Sequence, residues 1–377
     1  MMSKINSIKP KGLENVGATC YMNAVLQCFY HVKILTNELL KYECFPIMVL
    51  SSAYKDAIAQ LASNSPNAAR PILFKNAISI NPLFMGIQAN DSKDLILYFL
   101  ENIDNELSIK NYICNDPKYY NRIKNIQYNN DLALKNIINV FQSSHKSIIS
   151  DLFYGFKSQI IECKICHEKL LNYQIFNLMI FPIELVYNTI NINKRNNFVE
   201  KRGNRNTSNS AYGSFYWEQN NYSQNNIRNG QKSVTIEECF ENDMNDADFE
   251  GENQIFCNKC NKMTDAKCKN KIYSSPHILI IILNRGKGNE FDCDVDFKEK
   301  LNISKYVESK NCPVNYNLIG VISHLGESSM SGHFIADCKH FDGKWYSFSD
   351  SSVLGPNNNY SKRGTPYILF YQNSDIL

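Results

Sequence analysis

The spacing of apolar residues changes period near Ser150, and that change limits the architectures open to this chain. Before it, Tyr21 to Val32 carries Met22, Val25, Leu26 and Phe29 at helical intervals. Asp91 to Leu107 repeats the pattern through Leu95, Ile96, Phe99, Leu100, Ile103 and Leu107, with Asp91 or Ser92 placed to cap its start. Lys41 to Ile80 reads as short helices and loops. After Ser150 come short runs rich in Ile, Leu, Tyr and Phe: Lys157–Ile161, Leu170–Leu178, Ile272–Leu283, Tyr316–Ser323, Lys344–Phe348 and Pro366–Tyr371. These predict strands. Helices first and strands later point to an α+β fold, not a doubly wound α/β sheet.

The chain has 377 residues, 44% of them hydrophobic, enough for a sizeable core in one large domain or two smaller ones. A formal net charge of +3 gives no surplus that would attract nucleic acid or a membrane surface. The opening MMSKINSIKPKGLENVG lacks the apolar stretch of a secretory signal. The longest plainly apolar run, Ile278 to Leu283, is too short to cross a bilayer and reads as a buried strand. A soluble protein on the reducing side of the membrane is the expectation. There, an odd count of 13 cysteines argues for thiol chemistry or metal binding over a disulfide framework. Thr189 to Asn229 is crowded with Asn, Ser, Arg and Gly, the composition of a mobile surface insertion.

Two sets of cysteines stand out. Cys20 follows Gly12-Leu13-Glu14-Asn15-Val16-Gly17-Ala18-Thr19 and falls where a helix begins, a setting that favours a thiolate. Asn15, five positions upstream, can fold back and donate its amide to a developing oxyanion. Cys163-Lys164-Ile165-Cys166 and Cys257-Asn258-Lys259-Cys260 form two Cys-x-x-Cys turns, which together complete a zinc site of four cysteines. Four thiolates leave no open position, so such a zinc is structural. A nucleophilic cysteine also needs a histidine. His333 follows a Gly/Ser loop and opens an alternating strand; on chemistry alone His324 could serve equally. Asp350 ends the strand that begins at Trp345, where antiparallel pairing could bring it beside His333.

Gly12 to Gln27 is similar to the cysteine box of the ubiquitin-specific proteases, G-L-x-N-x-G-x-T-C-Y-M-N-x-x-L-Q, without a departure at a specified position. Tyr316-x-Leu318, His324-x-Gly326, Gly332-His333-Phe334 and Trp345-Tyr346-x-Phe348-x-Asp350 resemble the histidine box of that family, in which the second histidine is catalytic. The resemblance implies a papain-like cysteine protease with a helical thumb, a β-rich palm and zinc-binding fingers. It places an extension at 1–11 and a catalytic domain at 12–374, with the thumb at 12–150, fingers and palm at 151–374 and the insertion at 189–229. It implies Cys20 as nucleophile, Asn15 as oxyanion donor with the Cys20 amide, and His333 as base. The family commonly has Asn or Asp where this chain has Ser349, so the orienting role is expected of Asp350.

Asn90-Asp91-Ser92-Lys93-Asp94 is similar to the family's Q-D-[AS]-x-E box, which implies that Asp91 meets an arginine in ubiquitin's tail. Ser275 to Arg285 resembles its core strand, with Gly286 where Phe is usual. The implied activity is a thiol-dependent hydrolysis after the C-terminal glycine of ubiquitin, by an intracellular monomer in the cytoplasm or nucleus. Two alternatives stay open: an inactive ubiquitin-binding module, or a protease for another ubiquitin-like modifier.

Overall fold

The structure is a computed structural model that describes residues 8–108, 132–192, 227–228, 231–286, 291–328, 331–357, 359–360 and 363–375. The front of the chain folds as helices α1 (Cys20–His31), α2 (Lys33–Lys41), α3 (Val49–Leu61), α4 (Ile72–Ile78), α5 (Ser92–Ser108), α6 (Leu132–Ser144) and α7 (Ile148–Phe153). All twelve residues of α1 are buried. A helix closed off on every side must lie between layers, and α1 packs against α5 on one side and the main sheet on the other. Phe29 shows why: its ring lies 4.4 Å from Phe99 on α5, 5.6 Å from Phe153 on α7 and 5.4 Å from Phe370 in the sheet.

The second half supplies the strands β1 (Gly155–Cys163), β2 (Lys169–Phe176), β3 (Met179–Pro182), β4 (Ala266–Ser274), β5 (Ile278–Asn284), β6 (Asn315–Ser328), β7 (Ser331–Lys339), β8 (Trp345–Ser349), β9 (Ser352–Asn357) and β10 (Thr365–Asn373). The main sheet runs β9-β8-β7-β6-β10-β5-β3, with Lys300–Asn302 paired to β6. A smaller sheet runs β2-β1-β4 and ends on Ala247–Phe249. Strand β5 is buried on both faces, as its uninterrupted apolar run requires. Ile278, Ile280 and Ile282 join the core around α1, while Leu279, Ile281 and Leu283 join a second core on the far face.

Two expectations change. The run Ile272–Leu283 is two strands in different sheets, β4 and β5, parted at Ser275-Pro276-His277. Proline has no N–H to donate to a ladder, so the run breaks there. Of the expected insertion Thr189–Asn229, residues 189–192 end a helix that spans 183–192 and Ile227–Arg228 form a short strand. The rest lies outside the described residues. Among the described residues no helix is long and apolar enough to cross a membrane.

Helices α6 and α7 are tied to α5 by one buried carboxylate. Asp104, fully buried, accepts from the His145 ring Nδ1 and from the Ser147 hydroxyl. Asp104 holds the His145 imidazole above its usual value, first through that hydrogen bond. A raised histidine stabilises the fold fully below its unfolded pKa and loses the contribution as pH rises through the folded value. Stability measured by urea denaturation should therefore fall as pH rises from 6 to 9 in the native chain, and Asp104→Asn should flatten that dependence.

Candidate active site

The loop before α1 is pressed against the end of β8. A Cβ on Gly12 would lie 2.4 Å from the Ser351 carbonyl oxygen, so only glycine permits this approach. The Leu13 N–H donates to the Asp350 carbonyl at 2.8 Å. Gly17 turns the chain with φ +121°, and Asn15 organises the turn. Its Oδ1 accepts from the amides of Gly17 (3.2 Å) and Thr19 (3.0 Å) and from the Thr19 hydroxyl (3.3 Å). This fixes which way the side-chain amide points. Its Nδ2 faces away from the loop and donates to Asp350 Oδ2 at 2.9 Å.

Cys20 is the first residue of α1 and only 6% exposed. Burial pushes its thiol above the usual value, and the charge of Asp350 adds to this. The backbone amides of Phe334, Tyr21 and Cys20 itself pull it back. The helix start therefore does supply the expected N–H groups, but burial outweighs them. The Phe334 contact sets the sulfur against the peptide that follows His333.

His333 reaches this point because β7 is held between β6 and β8, with Leu325 opposite His333 and Ala336 opposite Phe348. Its Nε2 lies 2.9 Å from Ser349 Oγ. His324 is buried behind it, with its ring 4.9 Å from that of Phe334. A Cβ on Gly332 would lie 2.2 Å from His324 Nε2. Burial pushes His324 below its usual pKa, with the charge of Asp91 opposing.

The expectation that Asp350 orients His333 is corrected by this geometry. Asp350 stands just beyond the end of β8 in a left-handed turn with φ +49°. Its Oδ2 accepts from Asn15 and its Oδ1 from Asn23 Nδ2 at 2.8 Å. Ser349 is the residue on the imidazole. A neutral hydroxyl stabilises an imidazolium less than a carboxylate does, by about 1.4 kcal/mol, or tenfold in rate, for a charge-assisted bond. If the chain works as a cysteine hydrolase, Ser349→Asp should therefore raise its turnover about tenfold, read as kcat on a fluorogenic C-terminal amide.

Asp91 caps α5, as one of its two readings had it. Its Oδ1 accepts from the Lys93 amide at 2.8 Å. Its Oδ2 accepts from the Tyr367 hydroxyl at 2.8 Å, which fastens the cap to β10.

The two Cys-x-x-Cys turns meet at the far end of the smaller sheet. The sulfurs of Cys163, Cys166, Cys257 and Cys260 all lie within 4.8 Å of one another. Cys163 and Cys260 are 3.9 Å apart and Cys166 and Cys257 3.5 Å, well beyond the ~2.05 Å of a disulfide. A tetrahedral zinc with Zn–S bonds of about 2.3 Å has edges of about 3.8 Å, so the cluster fits that ion. The two turns also match each other. In each, the residue after the second cysteine is left-handed (His167 φ 58°, Asn261 φ 52°) and its amide donates to the carbonyl of the first cysteine.

Comparison with known proteins identifies the family. Residues 11–371 match the family described as ubiquitin carboxyl-terminal hydrolase. The chain belongs to the ubiquitin carboxyl-terminal hydrolase family. It is 25% identical to ubiquitin carboxyl-terminal hydrolase 10 of Saccharomyces cerevisiae over 98% of its own length and 48% of that protein. It is 23% identical to human ubiquitin carboxyl-terminal hydrolase 21 over 96% of its length and 61% of that protein. The chain thus spans about half to two thirds of the relatives it matches. In fold it resembles a chain from the SAGA Ubp8/Sgf11/Sus1/Sgf73 DUB module bound to ubiquitin aldehyde, with a TM-score of 0.62 at 19% identity, covering 99% of this chain and 70% of that one.

Within this family member, three site groups escaped the reading of the sequence. Asn23 lies in the cysteine box but gave no sign that it would grip Asp350. The Phe334 amide carries no side-chain signal at all. Ser349 carries no charge that would mark it in the sequence.

Proposed function

We propose that this chain is a deubiquitinating cysteine protease that hydrolyses the peptide or isopeptide bond after the C-terminal glycine of ubiquitin. The observation that carries this reading is the convergence of three separate segments: Cys20 beneath the Phe334 amide, His333 held at Nε2 by Ser349, and Asn15 fixed with its amide toward Asp350. With Nε2 engaged, the Nδ1 side of His333 is left for the sulfur.

Cys20 Sγ gives its proton to His333 and attacks the glycine carbonyl carbon. The oxyanion that forms is met by the free N–H of Asn15 Nδ2 and by the Cys20 amide. As the C–N bond breaks, His333 returns its proton to the leaving amine, and a thioester joins ubiquitin to Cys20. Water, deprotonated by His333, then attacks the thioester and releases the ubiquitin carboxylate and the Cys20 thiol. Asp350 never touches the imidazole in this scheme. It acts as a positioning residue, a carboxylate whose two oxygens anchor Asn15 and Asn23.

Cys163, Cys166, Cys257 and Cys260 would hold a structural zinc, cross-linking the Cys163 end of β1 to the end of the Ile255–Cys257 strand. Among the described residues no cysteine is paired in a disulfide, in keeping with an intracellular setting. Asp91 is proposed to receive the basic tail of ubiquitin, as an acid already fixed by the α5 cap.

The test is a ubiquitin probe with a C-terminal electrophile, run beside probes for other ubiquitin-like modifiers and a Cys20→Ala control. An adduct with ubiquitin that Cys20→Ala lacks is expected. No adduct with any probe would overturn the enzyme reading, and an adduct with another modifier alone would overturn the choice of substrate.

A further inference from the structure

A second polar chain lies at the opposite end of α1 from Cys20. His31, the last residue of α1, is buried and places Nδ1 2.7 Å from the Gln27 carbonyl oxygen. Its Nε2 lies 3.0 Å from Nδ1 of His340, in the turn after β7. His340 Nε2 in turn lies 2.9 Å from the Ile8 carbonyl oxygen. Both ends of this chain are carbonyls, which only accept.

Counting hydrogens decides the protonation state. A carbonyl at each end obliges His31 Nδ1 and His340 Nε2 to carry a hydrogen. A neutral imidazole has only one N–H, so two neutral rings would then face each other with two lone pairs 3.0 Å apart. Three hydrogens are needed to make all three contacts, and two neutral histidines hold two. The arrangement is complete only with one further proton.

We propose that the His31–His340 pair shares one proton and serves as a pH-sensitive latch for the N-terminal segment 8–13. Two features of the surroundings favour a single positive charge there. The C-terminal end of α1 points its carbonyls at His31, where a cation is stabilised. The carboxylate of Asp342 faces both rings and raises each, and is held below its usual value by the Lys344 amide and the Tyr346 hydroxyl, although burial opposes this. Other titratable groups around the pair are the phenols of Tyr30, 5.2 Å from the His31 ring, and Tyr346, 5.7 Å from His340. Both phenols are pushed up by burial and stay neutral. Burial pushes each imidazole down, His31 to about 3 with the charge of His340 adding to it, and this opposes the shared proton. The three contacts act against that penalty, and a second proton is excluded by it.

The latched segment matters because of where it leads. Gln27 Nε2 donates to the Lys11 carbonyl at 2.8 Å, the Ala69 amide to Gly12, and the Leu13 amide to Asp350. The latch therefore secures the strand of chain that backs the Asp350 turn. It needs a proton, so it weakens as pH rises. The proposal concerns this docking alone and stands whether or not the chain cuts ubiquitin.

The test is NMR on the full chain with 15N-labelled histidine, combined with amide exchange at Leu13 and Ala69 between pH 5 and 9. Ring nitrogen shifts of a shared, singly protonated pair are expected at low pH. Protection factors, corrected for the intrinsic pH dependence of exchange, should fall about tenfold as one hydrogen bond is lost. His340→Gln should remove the dependence, because one side-chain NH2 can donate to both Ile8 and His31 without a net charge. Ring shifts of two neutral imidazoles throughout, or an unchanged pH dependence in His340→Gln, would overturn the latch. The ring shifts of the native chain decide the matter if that variant fails to fold.

Discussion

Asp350→Asn should slow cleavage of ubiquitin by about a hundredfold and at the same time speed the alkylation of Cys20. The two effects have opposite signs because the carboxylate does two things. It accepts from both Asn15 and Asn23, at 2.9 Å and 2.8 Å, and a carboxamide can offer only one acceptor oxygen to those two donors. One asparagine then faces an N–H and turns away. If that is Asn15, the oxyanion loses a donor whose removal in comparable sites costs about 10² to 10³ in kcat. The charge of Asp350 also raises the Cys20 thiol, so removing it lets the thiolate form at lower pH. Iodoacetamide at pH 7 reads the second effect and kcat on ubiquitin amide reads the first. Asparagine tolerates the left-handed φ of +49° at this position, so backbone strain does not confuse the result. Asn15→Ala should cost about as much as Asp350→Asn, and the double variant little more than either. If alkylation slows together with turnover, the carboxylate supports the imidazole after all and the clamp assignment is wrong.

If zinc sits on the four clustered cysteines, its removal should have the largest effect on the fold. Cys163 and Cys166 close the β1 end of the smaller sheet, and Cys257 and Cys260 close the Ile255–Cys257 and Lys262–Thr264 hairpin. Few buried apolar residues hold that end together, since Leu170, Leu171, Ile165, Phe256 and Met263 are all exposed. A structural zinc contributes about 10–16 kcal/mol in isolated zinc-finger peptides. Even a third of this, at about 2 °C per kcal/mol for a larger domain, corresponds to a fall in Tm of roughly 10 °C. Elemental analysis should find about one zinc per chain, lost together with that stability on chelation or in Cys163→Ser. Freshly reduced protein that holds no metal, or a Tm indifferent to chelation, would sink the assignment.

The parts of this molecule that could be read in the sequence are those fixed by period and by local spacing. Helix α1 declared itself through Met22, Val25, Leu26 and Phe29, and β5 through its run of six aliphatic residues. The loop ahead of Cys20 was legible because two glycines and Asn15 sit at intervals that a turn and a helix start demand. The exchange of Ser349 and Asp350 was not legible. Which of two adjacent residues faces a histidine on the next strand depends on where the strand stops and which way the chain then turns. The strand ends at Ser349 and the turn at Asp350 is left-handed, and neither fact is written in residue type. The split of Ile272–Leu283 had a visible cause in Pro276, overridden by the apolar residues on either side. The His31–His340 contact joins residues on two elements that only tertiary packing brings together.

The order of the main sheet has a consequence for how the chain can be made. Strand β10 follows the other strands of this sheet in the chain, yet it is not at an edge but lies between β6 and β5, paired along both sides. During synthesis β5, β6, β7 and β8 all leave the ribosome before β10, and they form two groups with no strand between them. Until Thr365 to Asn373 emerge, the facing edges of β5 and β6 remain open to any extended chain nearby. The closing step of sheet assembly is therefore an insertion by these nine residues. A nascent chain that already carries Cys20 and His333 can gain neither a finished sheet nor a fixed cleft between them before that step.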